Sequence, residues 1–305
     1  MKQPKVGVIG LGGQSAFLKT QYFPAPGETV PCSELFFELG GKGYNQAVAC
    51  ARFGVKTLFV GAVGTDFNGK LCLEDLEQEG IETRLVEKDL PTAYAVITTV
   101  PGGGNTVQVC GGAAKELAPE DLEQPAVRQA LLCCNWLLLQ NELSLSCLEA
   151  AIRLAEENGI PVVLNPAPAG NIPLELLKKC RLITPNFGEA KALVGFSEDE
   201  SVTEAELAEA FHKLGLPTAV ITLGGKGAMI TENGQWEKIP PFTASEAVDT
   251  TGAGDTFNGV LTAYLAEGET LQEACRRAAI AAGIGVTRSG ARGSIPTEQE
   301  IQEFL

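Results

Sequence analysis

The stretch VDTTGAGDTFNG, from Val248 to Gly259, sets three small residues, Gly252, Ala253 and Gly254, ahead of a helical pattern that continues as VLTAYLA. Small residues at a helix start let unpaired backbone N–H groups converge on one point, and the helix dipole adds about half a positive charge there. Such a point binds anions and suits the oxygens of a phosphate in transfer. Asp255 falls inside that first turn. Its carboxylate would take the proton of an acceptor hydroxyl held beside the anion site, or it would cap the helix. The residues alone support both readings equally.

A second run, ELGGKGYNQAVACARFG (Glu38–Gly54), also places glycines before a helical pattern. Gly40, Gly41 and Gly43 let a ligand approach the backbone, and Lys42 and Asn45 add donors suited to hydroxyls. Taken by itself, this run also fits an ordinary glycine-rich turn with a surface lysine.

Between the two runs, apolar segments of strand length alternate with helical patterns. The strand candidates are Val6–Ile9, Thr57–Val60, Trp136–Leu139, Val162–Leu164, Leu182–Ile183 and Ala219–Thr222. Helices are predicted at Lys42–Phe53, Gly69–Glu79, Pro119–Leu132, Leu145–Asn158 and Glu204–Leu214, with two more at about Gly252–Ala266 and Leu271–Thr287. Near-continuous apolar strands alternating with helices predict an α/β fold whose largely parallel central sheet is sandwiched by helices. Two segments break the alternation. Glu28–Leu39 reads as extended, and Thr92–Val100 and Thr106–Cys110 flank PGGGN, a hairpin signal. These predict a small separate β-sheet lid built from segments near 12–39 and 92–110 of a single domain spanning 1–305.

The chain has 305 residues, 45% hydrophobic and 20% charged, with a formal net charge of -15. That charge disfavours nucleic acid and anionic membranes as partners. It also repels ATP at long range, so a nucleotide site must make its own positive potential from backbone N–H groups, a lysine or Mg²⁺. Nine cysteines lack any C-x-x-C pair, and the single histidine, His212, lies apart from them, which argues against a zinc cluster. No apolar run reaches the ~18 residues of a membrane span, and the strand-like KVGVIG starts almost at once. A reducing, cytoplasmic setting is expected.

Two motifs are decoys. GLGGQS (Gly10–Ser15) nearly matches a dinucleotide fingerprint, but that fingerprint must open a helix, and YFPAPG follows within a few residues. It reads as a strand-end turn. GTDFNGKL (Gly64–Leu71) has P-loop spacing, but Leu71 stands where a hydroxyl must hold Mg²⁺.

Together the two glycine-rich runs resemble the two signature regions of the ribokinase-like carbohydrate kinases. FPAPGET, LNPAPA, ITPNFGEA, ITLGGKG and VTRSGARGSIP resemble further segments of that family in the same order, across essentially the whole chain. The resemblance implies transfer of the γ-phosphate of ATP, with Mg²⁺, to a primary hydroxyl of a small sugar such as ribose or a related pentose or ketose. It implies Asp255 as base and Gly252, Ala253 and Gly254 as anion hole. Gly41, Lys42, Gly43, Asn45 and Glu142 match sugar-binding positions, and Asn186, Thr222, Gly224, Gly225, Gly227 and Gly254 match nucleotide-binding ones. A monovalent cation, K⁺, is implied at Asp249, Thr251, Gly285, Arg288, Gly290 and Ser294, mostly through backbone carbonyls. A homodimer through the β lid is implied as well.

One departure bears on substrate. The family's N-x-D after the first strand, which grips sugar hydroxyls, is replaced at the aligned positions by Gly13 and Ser15. The loss of a carboxylate leads to the expectation of a bulkier acceptor, or of one carrying a negative group there. Tyr44, in place of a small residue, is expected to narrow the pocket or stack on a ring. That keeps open a nucleoside or other ring compound as acceptor. A non-catalytic binding protein is the remaining alternative, and the intact Asp255 speaks against it.

Overall fold

The computed structural model describes residues 5–101, 104–197 and 199–305. In chain order its first half forms β1 (Lys5–Ile9), β2 (Gly13–Lys19), β3 (Glu34–Gly40), α1 (Lys42–Arg52), β4 (Lys56–Gly64), α2 (Phe67–Gln78), β5 (Glu82–Lys88), β6 (Ala93–Thr99), β7 (Asn105–Cys110), α3 (Gly112–Lys115), α4 (Pro119–Leu122) and α5 (Pro125–Leu132). The second half forms β8 (Trp136–Gln140), α6 (Leu145–Glu157), β9 (Val162–Asn165), α7 (Leu174–Leu177), β10 (Leu182–Ile183), α8 (Phe187–Leu193), α9 (Glu204–Lys213), β11 (Ala219–Thr222), β12 (Ala228–Glu232), β13 (Gln235–Ile239), α10 (Ala253–Glu267), α11 (Leu271–Gly285) and α12 (Glu298–Gln302).

Nine strands make one sheet in the order β13-β12-β11-β10-β9-β8-β1-β4-β5, parallel except at β12 and β13. Successive side chains on a strand point to opposite faces, so a strand covered on both sides must be apolar throughout. In β1, Val6 and Val8 join the apolar cluster formed with α1, α10 and α11, whereas Ile9 joins the cluster on the other face with α5, α6 and α9. The chain first builds outward from β1 through β4 and β5, then restarts at β8 on the other side of β1. That reversal opens a crevice at the carboxyl ends of β1 and β8, where α/β sheets bind ligands.

The second sheet is the lid, four strands in the order β3-β2-β6-β7, with β2 and β6 parallel and the other pairs antiparallel. The predicted hairpin is β6–β7; Gly102 and Gly103 of its turn lie outside the described residues.

Several expectations need correction. The extended segment Glu28–Leu39 is a strand only from Glu34; the residues before it are irregular and largely exposed. Only Gly10–Gly12 of GLGGQS forms the turn, and Gly13–Lys19 is a lid strand. The helix expected over Pro119–Leu132 is two helices, because Pro125 opens a new first turn, while Asp121 in the old one accepts from Ala118 N at its N-cap and from Gln124 Nε2 just past its end. In the P-loop decoy, Gly64 ends β4 and Asp66 caps α2 by accepting from Gly69 N at 2.9 Å, so that turn is closed by its own side chain.

Candidate active site

Gly252 is the N-cap of α10 and has φ 75, a left-handed conformation that glycine adopts without strain. Its position is also tight, because a Cβ there would lie 3.0 Å from Ala291 Cα. Ala253, Gly254 and Asp255 then fill the first helical turn. Asp255 is buried and does not cap the helix. Its two oxygens accept from α1, Oδ2 from Asn45 Nδ2 and Oδ1 from Gln46 Nε2, each at 3.0 Å. Burial raises its pKa above the usual carboxylate range, while the Lys42 charge and the two amides pull the other way. Lys42 is raised chiefly by the Asp255 charge. Its backbone N donates to Glu142 Oε2 at 3.0 Å. Burial pushes Glu142 up to about 7, with Lys42 opposing.

A buried polar network fixes these groups. Gln140, at the carboxyl end of β8, donates to Gln46 Oε1 at 2.7 Å, and Gln46 Nε2 also reaches Asn165 Oδ1, at the end of β9, at 3.2 Å. Asn165 donates to Thr184 O, Thr184 Oγ1 to Asn258 Oδ1, and Asn258 Nδ2 to Gly254 O at 2.8 Å. The network thus returns to the anion turn itself. Sequence reasoning missed Gln46, Gln140, Asn165, Thr184 and Asn258. The available signal was a polar residue at the carboxyl end of otherwise apolar strands, as in WLLLQ and VVLN. Two acceptors of this network are left over, Gln140 Oε1 and Asn45 Oδ1. Asn45 Oδ1 has no partner although Asn45 is only 4% exposed. An unpaired buried acceptor is costly, so a hydroxyl donor from a ligand would be favoured there.

The first turn of α10 is the shared wall of two cavities. One, of about 210 Å³, lies under the lid and is lined by Gly13, Ser15, Gly41, Lys42, Asn45, Glu142, Gly252 and Asp255 among others. The other, of about 350 Å³, is a largely apolar slot with Thr222, Gly224, Gly225, Gly227, Ala253 and Gly254 on its walls, closed by Phe242 and Phe257. Cβ atoms added at Gly224, Gly225 and Gly254 would meet open space, so backbone faces the slot at these points. Two predicted residues lie off these walls. Gly43 packs on Gly10, where a Cβ would lie 2.7 Å from Gly10 Cα. Asn186 caps α8 by accepting from Glu189 N at 2.8 Å and adjoins Thr222 through a parallel bridge.

One carboxylate joins three of the six predicted cation positions. Asp249 Oδ1 accepts from Thr251 N and Oγ1 at 2.9 and 2.7 Å, and Oδ2 accepts from Gly290 N at 3.0 Å. Ser294 Oγ donates to Ala291 O, and Arg288 N to Gly285 O. The Arg288 side chain turns away to pair with Glu300.

Tyr44 does not reach the pocket. It is fully buried, its ring packs against Gly12 and Phe59, and its hydroxyl donates to Asp75. It neither narrows the site nor stacks on a ligand, which removes the residue that pointed to a nucleoside. Glu38 pairs directly with Ser15 and lines the same pocket, so a carboxylate stands beside the positions where the family's own is replaced. Gly13 itself has no room for a side chain, since a Cβ there would lie 2.1 Å from Ala93 O.

A buried carboxylate beside a helix-terminus anion site, between a pocket under the lid and a glycine-edged slot, defines a phosphotransferase with an alcohol acceptor. Residues 6–298 match the profile of the pfkB family carbohydrate kinases. The ribokinase of Haemophilus influenzae is 39% identical over 301 residues, covering 98% of this chain and 97% of that protein. The deoxyribokinase of Salmonella typhi is 33% identical, covering 98% of each. The structure of Arabidopsis thaliana ribokinase complexed with ribose and ATP superposes with a TM-score of 0.88 at 30% identity, covering 99% of this chain and 98% of that one. The chain belongs to the pfkB family of carbohydrate kinases. It is an ATP-using sugar kinase of the ribokinase and deoxyribokinase type.

Proposed function

We propose that the chain transfers the γ-phosphate of ATP to a primary hydroxyl of a small neutral sugar, ribose or a related pentose or ketose. The observation that carries this reading is the first turn of α10, which walls both cavities and holds Asp255 on the lid side. The sugar occupies the lid pocket, where Asn45 Oδ1, Glu142 and the backbone near Gly41 receive its hydroxyls. Asp255 takes the proton of the attacking hydroxyl as the new P–O bond forms. Its raised pKa suits it to hold that proton. The N–H groups of Gly252, Ala253 and Gly254 stabilise the transferring oxygens, and Lys42 offsets the charge of Asp255 and Glu142.

ATP fits the slot because its apolar walls suit a planar base and its glycine edges bring backbone to the phosphates. When bound, it supplies the phosphoryl group. Mg²⁺ would be held by the phosphates, since among the described residues no three His, Cys, Asp or Glu side chains gather as a cage. K⁺ suits the loops joined by Asp249, where carbonyls of Thr251, Gly285, Arg288, Gly290 and Ser294 would steady the Gly252 turn. We read the whole chain as one kinase domain in a reducing cytoplasm. All nine cysteines are free, three of them exposed, and among the described residues no helix is long and apolar enough to cross a membrane.

ADP release, measured with D-ribose, 2-deoxy-D-ribose, D-fructose and adenosine in K⁺ and in Na⁺, tests the reading. Turnover of a free sugar, faster in K⁺, is expected. Turnover of adenosine alone would overturn the sugar assignment.

A further inference from the structure

We propose that Glu38, on lid strand β3, is a specificity-determining residue that accepts a hydroxyl of the sugar and bars anionic sugars from the pocket. The proposal rests on the sugar-kinase reading above. Glu38 stands directly across from Ser15 on the lid face turned to the pocket and lines that pocket. The side chain is held in place. Its Oε2 accepts from Ala291 N at 2.9 Å. Its Oε1 lies where a Cβ on Gly290 or Gly293 would come within 2.4 or 2.9 Å, so glycine at both positions leaves room for the carboxylate.

With one oxygen engaged, the other is available to a ligand. Among the described residues lining the pocket, Lys42 is the only cation against three carboxylates, Glu38, Glu142 and Asp255. Lys42 is drawn to Asp255 and Glu142, which leaves Glu38 uncompensated. Asn45 Oδ1, an unpaired buried oxygen of a residue that lines this pocket, also accepts only. A ligand that satisfies Asn45 and Glu38 together must therefore bring two hydroxyl donors and no negative charge. A neutral polyol does both. A sugar phosphate or sugar acid sets acceptor against acceptor and like charge against like charge.

Titration calorimetry with D-ribose and with D-ribonate, on wild type, Glu38→Ala and Glu38→Gln, tests this. A hydrogen bond to a charged group corresponds to roughly 10- to 100-fold in affinity. We expect Glu38→Ala to weaken D-ribose by about 10-fold or more with ATP affinity unchanged. We expect Glu38→Gln, which keeps an oxygen for Ala291 N, to gain D-ribonate binding by about 10-fold over wild type. A purely structural Glu38 would leave ribonate binding equal in wild type and Glu38→Gln. That equality, or D-ribose affinity within about twofold of wild type in Glu38→Ala, overturns the assignment. So does a wild type and a Glu38→Gln variant that bind neither sugar. Failure of the kinase reading shows separately, as D-ribose binding without ADP release.

Discussion

At Glu142 the carboxyl is held up to about 7, against an ordinary 4.5, because it has left water and Lys42 restores its charge only in part. The unfolded chain would ionise this group first. Stability from it is therefore present in full below pH 4.5 and lost as pH rises to about 7, by up to about 3 kcal/mol. Asp255, also raised, acts in the same direction. In Glu142→Gln the fall in urea midpoint between pH 5 and pH 7.5 should be smaller than in wild type; an equal fall would contradict the assignment. Little of this was legible in the sequence, where only the family resemblance marked Glu142. Its environment comes from α1, a hundred residues earlier. Asp255 was legible in position, but its partner Gln46 was not, because a polar residue on a helix carries no mark of the face it will occupy.

Among the elements, the segment 288–295 must be held against α1 and α2 for Ala291 to brace Gly252. Arg292 does this with a fork onto Asp75, Nε to Oδ2 at 2.9 Å and Nη2 to Oδ1 at 2.6 Å, and a further bond to Glu79 at 2.9 Å. Arg52 pairs with the same Glu79 and donates to Ile295 O at 2.7 Å. Tyr44 completes the cluster through Asp75. Charged hydrogen bonds of this kind contribute about 1–3 kcal/mol, so Arg292→Ala should lose about that much in chemical denaturation and also slow turnover by loosening the Gly252 turn. Loss of stability with turnover unchanged would separate the cluster from the site. The parallel strands and long helices were legible because their apolar periods are strong. β5 was not, since an edge strand reading ETRLVEK carries charges that pair with Lys5 and Asp121. β12 and β13 were missed although Asn233-Gly234 is a hairpin signal.

For the whole molecule, the lid decides how the pocket meets solvent. Leu35 and Phe37 of β3 share one face of the lid and are 56% and 54% exposed. Apolar side chains this open on a sheet face are a recognised mark of an interaction surface. A homodimer through the lid, which the family resemblance implies, would cover them; sedimentation should then show a dimer for wild type and a monomer for Leu35→Glu/Phe37→Glu, and a monomeric wild type would remove the dimer. The lid's existence was legible from the segments that broke strand–helix alternation. Its strand order was not, because β2 and β6 pair across most of a hundred residues and only the folded register reveals that Glu38 answers Ser15.

The central claim is that Asp255 takes the acceptor's proton. Turnover of Asp255→Asn with ATP and D-ribose, beside a calorimetric measurement of ATP affinity in the same variant, tests it most directly. The account predicts a fall in kcat of about 10²- to 10⁴-fold with ATP still bound at wild-type affinity. Undiminished turnover in Asp255→Asn would contradict it.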